Sequence, residues 1–335
     1  MSTTAATEVR AQPSYRAFGV TVSRVRRLSP SFVRLTFAGP DLADFGRTGL
    51  DQRIKVVLPT PAGRPADIAD FSSDSWYQDW RALPDDQRNP FRTYTVRAVR
   101  TTATGDVEVD VDFVLHTDAD GHSGPASRWV AQVAPGDTAV ISGPNALYDG
   151  PPVGLEWTPP ATARTLLLAG DETAAPAITS IVESLPAGTA AHAFLEVPEE
   201  GDALDVRVPD GVHLTWLPRR EADGTEHERG VLLDAAVRAC MEARRQEQVA
   251  TDRAAAEILA GLEPEDVDID STILWDVPSG HDAPTTGSAV PGCYAWIAGE
   301  AAVVRELRRH LVRDLGIDRR SVAFMGYWRR GRAEC

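Results

Sequence analysis

The chain has 335 residues, 34 of them basic and 49 acidic, for a formal net charge of −15. With 43% hydrophobic and 25% charged residues it has the make-up of a folded globular protein rather than a disordered one, and its length suggests two domains of roughly 150 residues each. Cys240, Cys293 and Cys335 form no CxxC pair, which excludes an iron–sulfur cluster or structural zinc and points to a reducing compartment. The acidic total argues against nucleic acid as partner. No stretch approaches the roughly 20 apolar residues of a membrane helix, and residues 1–14 read as a disordered tail without a signal-like core, so a cytoplasmic monomer is expected.

The charge is uneven. Residues 1–100 carry 15 basic and 10 acidic side chains, residues 101–300 carry 10 and 35, and residues 301–335 carry 9 and 4. All basic residues are arginine except Lys55, which sits in the apolar run IKVVLP (54–59).

From Tyr15 to Pro144 short β-like runs follow one another: FGVTVSRVRRL (18–28), FVRLTFAG (32–39), RIKVVLP (53–59), RTYTVRAVR (92–100), VEVDVDFVLH (107–116) and DTAVISGP (137–144). VEVDVDF alternates apolar and acidic residues, as a strand with one solvated face does. Six strands without intervening helices predict an antiparallel β-barrel or sandwich. Residues 60–90 read as a long surface loop, and GPASRWVAQVAPGD (124–137) as one short helix. Residues 150–163, with four prolines, read as the linker between domains 15–149 and 164–335.

After the linker the period changes. RTLLLAGDETAAPAITSIVESLP (164–186) is a strand, tight turn and helix; AAHAFLEVP (190–198) and GVHLTWLP (211–218) are strands; GVLLDAAVRACMEARR (230–245) is a helix. YAWIAGE (294–300) with AAVVRELRRHLVRDLG (301–316) repeats strand, turn and helix, and SVAFMGYW (321–328) closes the series. Strands alternating with helices predict an α/β domain on a parallel sheet. Residues 241–291 read as an insertion, comprising a helix to about Leu262, the acidic EPEDVDIDS and a Gly/Pro/Thr-rich segment. EPEDVDID lacks the glycine turn and terminal glutamate of a calcium loop and reads as solvated.

Two motifs bear chemistry. In RTYT, Arg92 and Tyr94 share a strand face and can grip a phosphate and a flat ring, while Thr95, read as the strand end, offers a hydroxyl. In HTDADGHSGPASRWV, Gly124, Pro125, Ala126 and Ser127 lie where a loop enters a helix, a pre-oriented anion site. Taken singly, an amphipathic strand and a helix cap account for them equally well.

RTYTVR (92–97), DFVLH (112–116) with GPASRW (124–129), GDETAAPAI (170–178), WIAGE (296–300) with VRELRRHL (304–311), and GYWRRG (326–331) together resemble the siderophore-interacting protein family. These are FAD-dependent ferric-siderophore reductases of the ferredoxin-reductase-like superfamily. The resemblance implies an N-terminal FAD-binding Greek-key barrel and an NAD(P)H-binding α/β domain, with no acid–base residue, since catalysis is electron transfer through FAD. It assigns Arg92, Thr93, Tyr94, Thr95 and Arg97 to FAD, with Tyr94 on the isoalloxazine and Thr95 near its N5. Val114, Leu115 and His116 would line the flavin edge, and Gly124, Pro125, Ala126 and Ser127 would cradle the pyrophosphate. His116 and His122 have no further ligand at metal spacing.

GDETAAPAI lacks the GxGxxG fingerprint but stands at the end of the first parallel strand, where α/β sheets bind ligands. There Asp171, Glu172 and Thr173 face the cofactor, with Thr173 as a helix cap in the plain structural reading. Gly299 and Glu300 repeat the arrangement, and Trp328 joins the same cofactor set. An anionic ferric siderophore would be drawn by Lys55, Arg329, Arg330 and Arg332. Two alternatives stay open: a flavin reductase or oxygenase-partner reductase, and a non-enzymatic siderophore-binding protein.

Overall fold

The computed structural model describes residues 12–60, 62–73, 75–115, 124–251, 275–277 and 290–331. Residues 1–11, His116, His122, the segment 263–271, Arg332 and Cys335 lie outside them. Six antiparallel strands close into a barrel: β1 (Tyr15–Arg27), β2 (Phe32–Ala38), β3 (Arg53–Val57), β4 (Phe91–Thr101), β5 (Val107–Val114) and β6 (Thr138–Pro144), in the order β1-β2-β5-β4-β3-β6. Alternate residues fill its core, including Phe18, Leu35, Phe37, Ile54, Val109, Val111 and Phe113. Closure leaves no unpaired edge.

Three features depart from the sequence reading. The acidic face of β5 is buried rather than solvated, because arginines of the flanking strands cover it. Arg34 grips Asp112 at 2.6 and 2.8 Å, Arg100 reaches Glu108 at 2.7 Å and Asp110 at 2.5 Å, and Thr36 donates to Asp110 at 2.7 Å. Strand β4 runs from Phe91 to Thr101, as the run 92–100 predicts, so Thr95 lies within it rather than at its end, and a register shift falls between Val96 and Ala98. Residues 60–90 are not an open loop: Ile68–Phe71 form a 3-10 turn and Trp76–Ala82 the helix α1. Phe71 and Trp80 from these elements bury against Phe91, Val57 and Val140 on the outside of the barrel. The polar composition of the segment hid two aromatic anchors, Phe71 and Trp80, whose burial fixes it.

The second sheet runs β10-β12-β11-β7-β8-β9, comprising β7 (Thr165–Gly170), β8 (Ala191–Glu199), β9 (Val212–Arg220), β10 (Trp275–Asp276), β11 (Cys293–Glu300) and β12 (Val322–Trp328). Five strands are parallel, and β10, from the insertion, pairs antiparallel with β12 as the edge. One face packs on α3 (Ala175–Ser184), the other on α4 (Val231–Thr251) and α5 (Ala301–Arg308). The chain changes face between β7 and β11, the switch point at which such sheets bind ligands.

The two units are joined by buried polar contacts. Asp202, after β8, accepts from Ser29 Oγ, Ser31 N and Ser31 Oγ at 2.6 to 2.9 Å. The connecting stretch is packed rather than loose. Trp157 is buried in the α/β core, and Glu156 N donates to Asp51 Oδ2, which also accepts from Trp296 Nε1 at 3.1 Å. Burial pushes the Asp51 carboxyl above its ordinary range.

Candidate functional site

On the barrel, β4 and the short helix α2 (Pro125–Val130) are drawn together by a ladder of rings. Tyr94 lies 4.2 Å from Phe113, and Phe113 lies 6.0 Å from Trp129. The sequence motifs RTYT and GPAS, separated by some 30 residues, therefore meet across β5. Arg92 and Tyr94 are half-buried, and Arg92 Nη1 donates to the Phe91 carbonyl at 2.8 Å. Thr95 is buried on the opposite strand face, with Phe91 and Thr93, so it does not share the surface of Arg92 and Tyr94. Ser127 is buried in the first turn of α2, and among the described residues no atom lies within 4 Å of where a Cβ of Gly124 would stand. Val114 packs toward the α/β core and Leu115 toward the barrel core, at the seam between the units. Arg97 is engaged elsewhere: it bridges Asp112 at 3.9 Å and Glu183 of α3 at 2.8 Å, tying the barrel to the second sheet.

At the C-terminal edge of the second sheet, one buried carboxylate organises the strand ends. Asp171 Oδ1 accepts from Thr173 N at 2.9 Å and Thr173 Oγ1 at 2.5 Å. Asp171 Oδ2 accepts from Glu300 N at 2.9 Å and Trp328 Nε1 at 2.8 Å. Burial raises its pKa and the neighbouring Glu172 raises it further. Thr173 is thus a turn residue and not the cap of α3, whose first turn receives no side-chain bond. Glu300 does cap its helix, accepting from Ala302 N and Val303 N, and its other oxygen takes Arg330 N at 3.2 Å. Gly299, at φ 145°, lets the strand pass Asp171; a Cβ there would stand 2.9 Å from the carboxylate.

Behind this turn Glu172, expected to face the cofactor, is instead buried in a cluster whose other members the sequence reading missed. Glu172 and Glu196 have fully buried side chains, and Arg219 binds both, at 2.9 and 3.2 Å to Glu172 and 3.3 Å to Glu196. Arg229 reaches Glu172 at 2.7 and 2.9 Å, and its guanidinium stands over the Trp328 ring at 4.8 Å. Glu196 also accepts from Gly230 N and Leu233 N at the start of α4. Nothing in the spacing of 172, 196, 219 and 229 announces this; only the parallel register of β7, β8 and β9 assembles it.

The profile of the siderophore-interacting FAD-binding domain matches residues 21–148, and that of the siderophore-interacting protein matches residues 163–331. The chain belongs to the siderophore-interacting protein family. It is 30% identical to an uncharacterised protein of Mycobacterium tuberculosis over 317 residues, 93% of this chain and 90% of that one. It is 30% identical to the ferric vibriobactin reductase ViuB of Vibrio cholerae over 196 residues, 58% of this chain and 64% of ViuB. The crystal structure of the siderophore-interacting protein SipS from Aeromonas hydrophila superposes with a TM-score of 0.58 at 29% identity, covering 96% of this chain and 95% of that one.

In this member of the family the donor set on the barrel suits FAD. A guanidinium and a hydroxyl at a helix start match a pyrophosphate, a tyrosine ring matches a flat heterocycle, and the space that the described residues leave beside Gly124 has room for phosphate oxygens. Of the residues expected to meet substrate, Lys55 shares the Thr93 face of the barrel, opposite the face of Arg92 and Tyr94. Lys55 Nζ stands over Phe91 at 5.0 Å and donates to Thr93 Oγ1 at 3.3 Å. Arg53, one pleat away on the same face of β3 at about 7 Å, lies over Trp275 at 4.7 Å, and Trp275 stacks on Tyr327 of β12. The strand carrying Lys55 is thereby held beside the strand that leads into Arg329 and exposed Arg330. His116 and Arg332 lie outside the described residues.

Proposed function

We propose that this protein is a ferric-siderophore reductase that takes electrons from NAD(P)H through FAD and releases Fe(II) in the cytoplasm. What supports the reading is the chain of contacts between the two units, in which Trp328 donates to Asp171 at the sheet's end and Trp275, stacked on Tyr327, brings Arg53, two residues from Lys55, beside β12. A flavin supplies the conversion of a two-electron hydride donor into a one-electron donor, so one nicotinamide serves two ferric ions.

The chain's own groups bind and position. Arg92 and Ser127 hold the pyrophosphate, with Gly124 and Pro125–Ala126 shaping its turn, and Tyr94 holds the ring. Val114 and Leu115, at the seam between the units, would complete the wall on which it rests, while Thr93 and Thr95 stand on the other face of β4. Asp171, fixed by Thr173, Glu300 and Trp328, holds together the ends of β7, β11 and β12, where a nicotinamide would bind. Lys55, Arg329 and Arg330 attract an anionic ferric complex to an open approach, and no residue needs to move a proton. Ferrous iron, weakly held by hard oxygen donors, then leaves. A location with a nicotinamide pool fits the cytoplasm, and one chain supplies every part of the site, so a monomer suffices. The relatives named for ferric vibriobactin reduction and for NADPH-dependent ferric-chelate reduction in Escherichia coli support the reaction class.

The test is anaerobic oxidation of NADH and NADPH by the purified yellow protein with and without a ferric siderophore, with Fe(II) trapped by a chelator. Acceleration by the ferric complex with Fe(II) appearing is expected. Oxidation that ignores the ferric complex but proceeds with free flavin would turn the assignment to a flavin reductase.

A further inference from the structure

We infer that the coenzyme edge of this protein is built for NAD(H) and against the 2′-phosphate of NADP(H), and that Glu199 is a specificity-determining residue. The inference rests on the nicotinamide reading above and concerns the other end of the same molecule. With the nicotinamide at the Asp171 turn beside the barrel, a dinucleotide laid along the carboxyl ends of the strands runs over β8 and β9. Its adenosine ribose then meets residues 196–200 and 218–229.

These two segments hold seven carboxylates and three arginines. A site for the 2′-phosphate needs an arginine available to it, and here each arginine already faces a carboxylate. Arg219 and Arg229 are committed to Glu172, whose side chain is completely buried. Drawing either toward a phosphate weakens the pairing of a carboxylate that water cannot reach. Arg220 is the exception in exposure: its side chain is 59% exposed and its partner, the cross-strand neighbour Glu199, lies 3.5 Å away. A phosphate approaching Arg220 is also brought against the Glu199 carboxylate that this guanidinium faces, whereas a ribose 2′-hydroxyl can donate to that carboxylate. Glu221, beside Arg220 in sequence, is held by His227 at 2.5 Å and adds a second negative group at the same edge.

The experiment is calorimetric titration of the FAD-loaded protein with NAD+ and with NADP+, oxidised forms that bind without turnover, at low and at 0.5 M salt. NAD+ should bind roughly tenfold tighter than NADP+ at low salt, and the gap should shrink as salt screens the exposed carboxylates. Glu199→Gln, at a half-buried position, should narrow the gap by strengthening NADP+ binding. ADP-ribose against its 2′-phosphate should reproduce the same ratio without the nicotinamide. Equal or tighter binding of NADP+ by the parent would overturn the selectivity while leaving the nicotinamide reading intact. An unchanged ratio in Glu199→Gln would overturn the role of Glu199, and failure of both coenzymes to bind would overturn the nicotinamide reading and this inference with it.

Discussion

Replacing Arg219 with alanine isolates the work of one guanidinium in the cluster behind the Asp171 turn. Its side chain is only 11% exposed, and it spans two carboxylates with no exposure at all, Glu172 and Glu196. Removing one partner of a buried ion pair costs about 3–5 kcal/mol, because the charge left behind is neither paired nor hydrated. Two features place this case at the low end. Glu172 keeps Arg229 at 2.7 Å, and Glu196 keeps the amides of Gly230 and Leu233. A loss of about 3 kcal/mol in a unit of this size lowers Tm by roughly 6–12 °C. Differential scanning calorimetry of the FAD-loaded parent and of Arg219→Ala measures it directly. The double variant Arg219→Met with Glu172→Leu removes cation and carboxylate together and should recover most of the loss, since Arg229 is partly exposed and can turn to water. A single variant melting within about 2 °C of the parent, or a double variant no better than the single one, would refute the account of the cluster as a compensated pair of buried charges.

Three further outcomes follow from the seam. Lys55→Ala should slow ferric-siderophore reduction by roughly fivefold at low salt, with flavin content unchanged and the difference fading as salt rises; equal rates in stopped-flow reoxidation would remove Lys55 from substrate attraction. Gly299→Ala forces a Cβ to 2.9 Å from the Asp171 carboxylate at φ 145°, so it should cost about 1–3 kcal/mol in thermal unfolding and weaken nicotinamide binding, and a neutral substitution would show that the turn yields freely. Asp51→Asn tests the buried carboxylate between the units. Its folded pKa is raised by burial, so its contribution to stability is greatest below the unfolded value near pH 4 and is lost as pH rises through the folded value. Whatever the offset between variant and parent at pH 4, melting points should therefore shift in the variant's favour toward pH 7, and a gap independent of pH would exclude ionisation of Asp51 in that window.

What was legible in the sequence was the part written in local period and composition. The six barrel strands and the strand–turn–helix units at GDETAAPAI and WIAGE were readable because alternation and helical spacing act over a few residues. The short motifs were readable as donors but not as surfaces, since pleating sends Thr95 to the opposite face from Arg92 and Tyr94 and a register shift carries Arg97 to Glu183. The acidic face of β5 misled for the same reason: alternation shows which residues share a face, while what covers that face is decided by Arg34 and Arg100 on strands far away in sequence. Segment 60–90 hid its packing because four aromatic residues among aspartates and prolines make no period, yet two of them, Phe71 and Trp80, bury enough apolar surface to anchor the segment. The coenzyme edge is the extreme case. Glu172, Glu196, Arg219 and Arg229 come from four separate stretches and meet only through parallel pairing of β7, β8 and β9, so a net charge of −15 could announce an acidic protein but not that its arginines are held by buried carboxylates where a 2′-phosphate would need them.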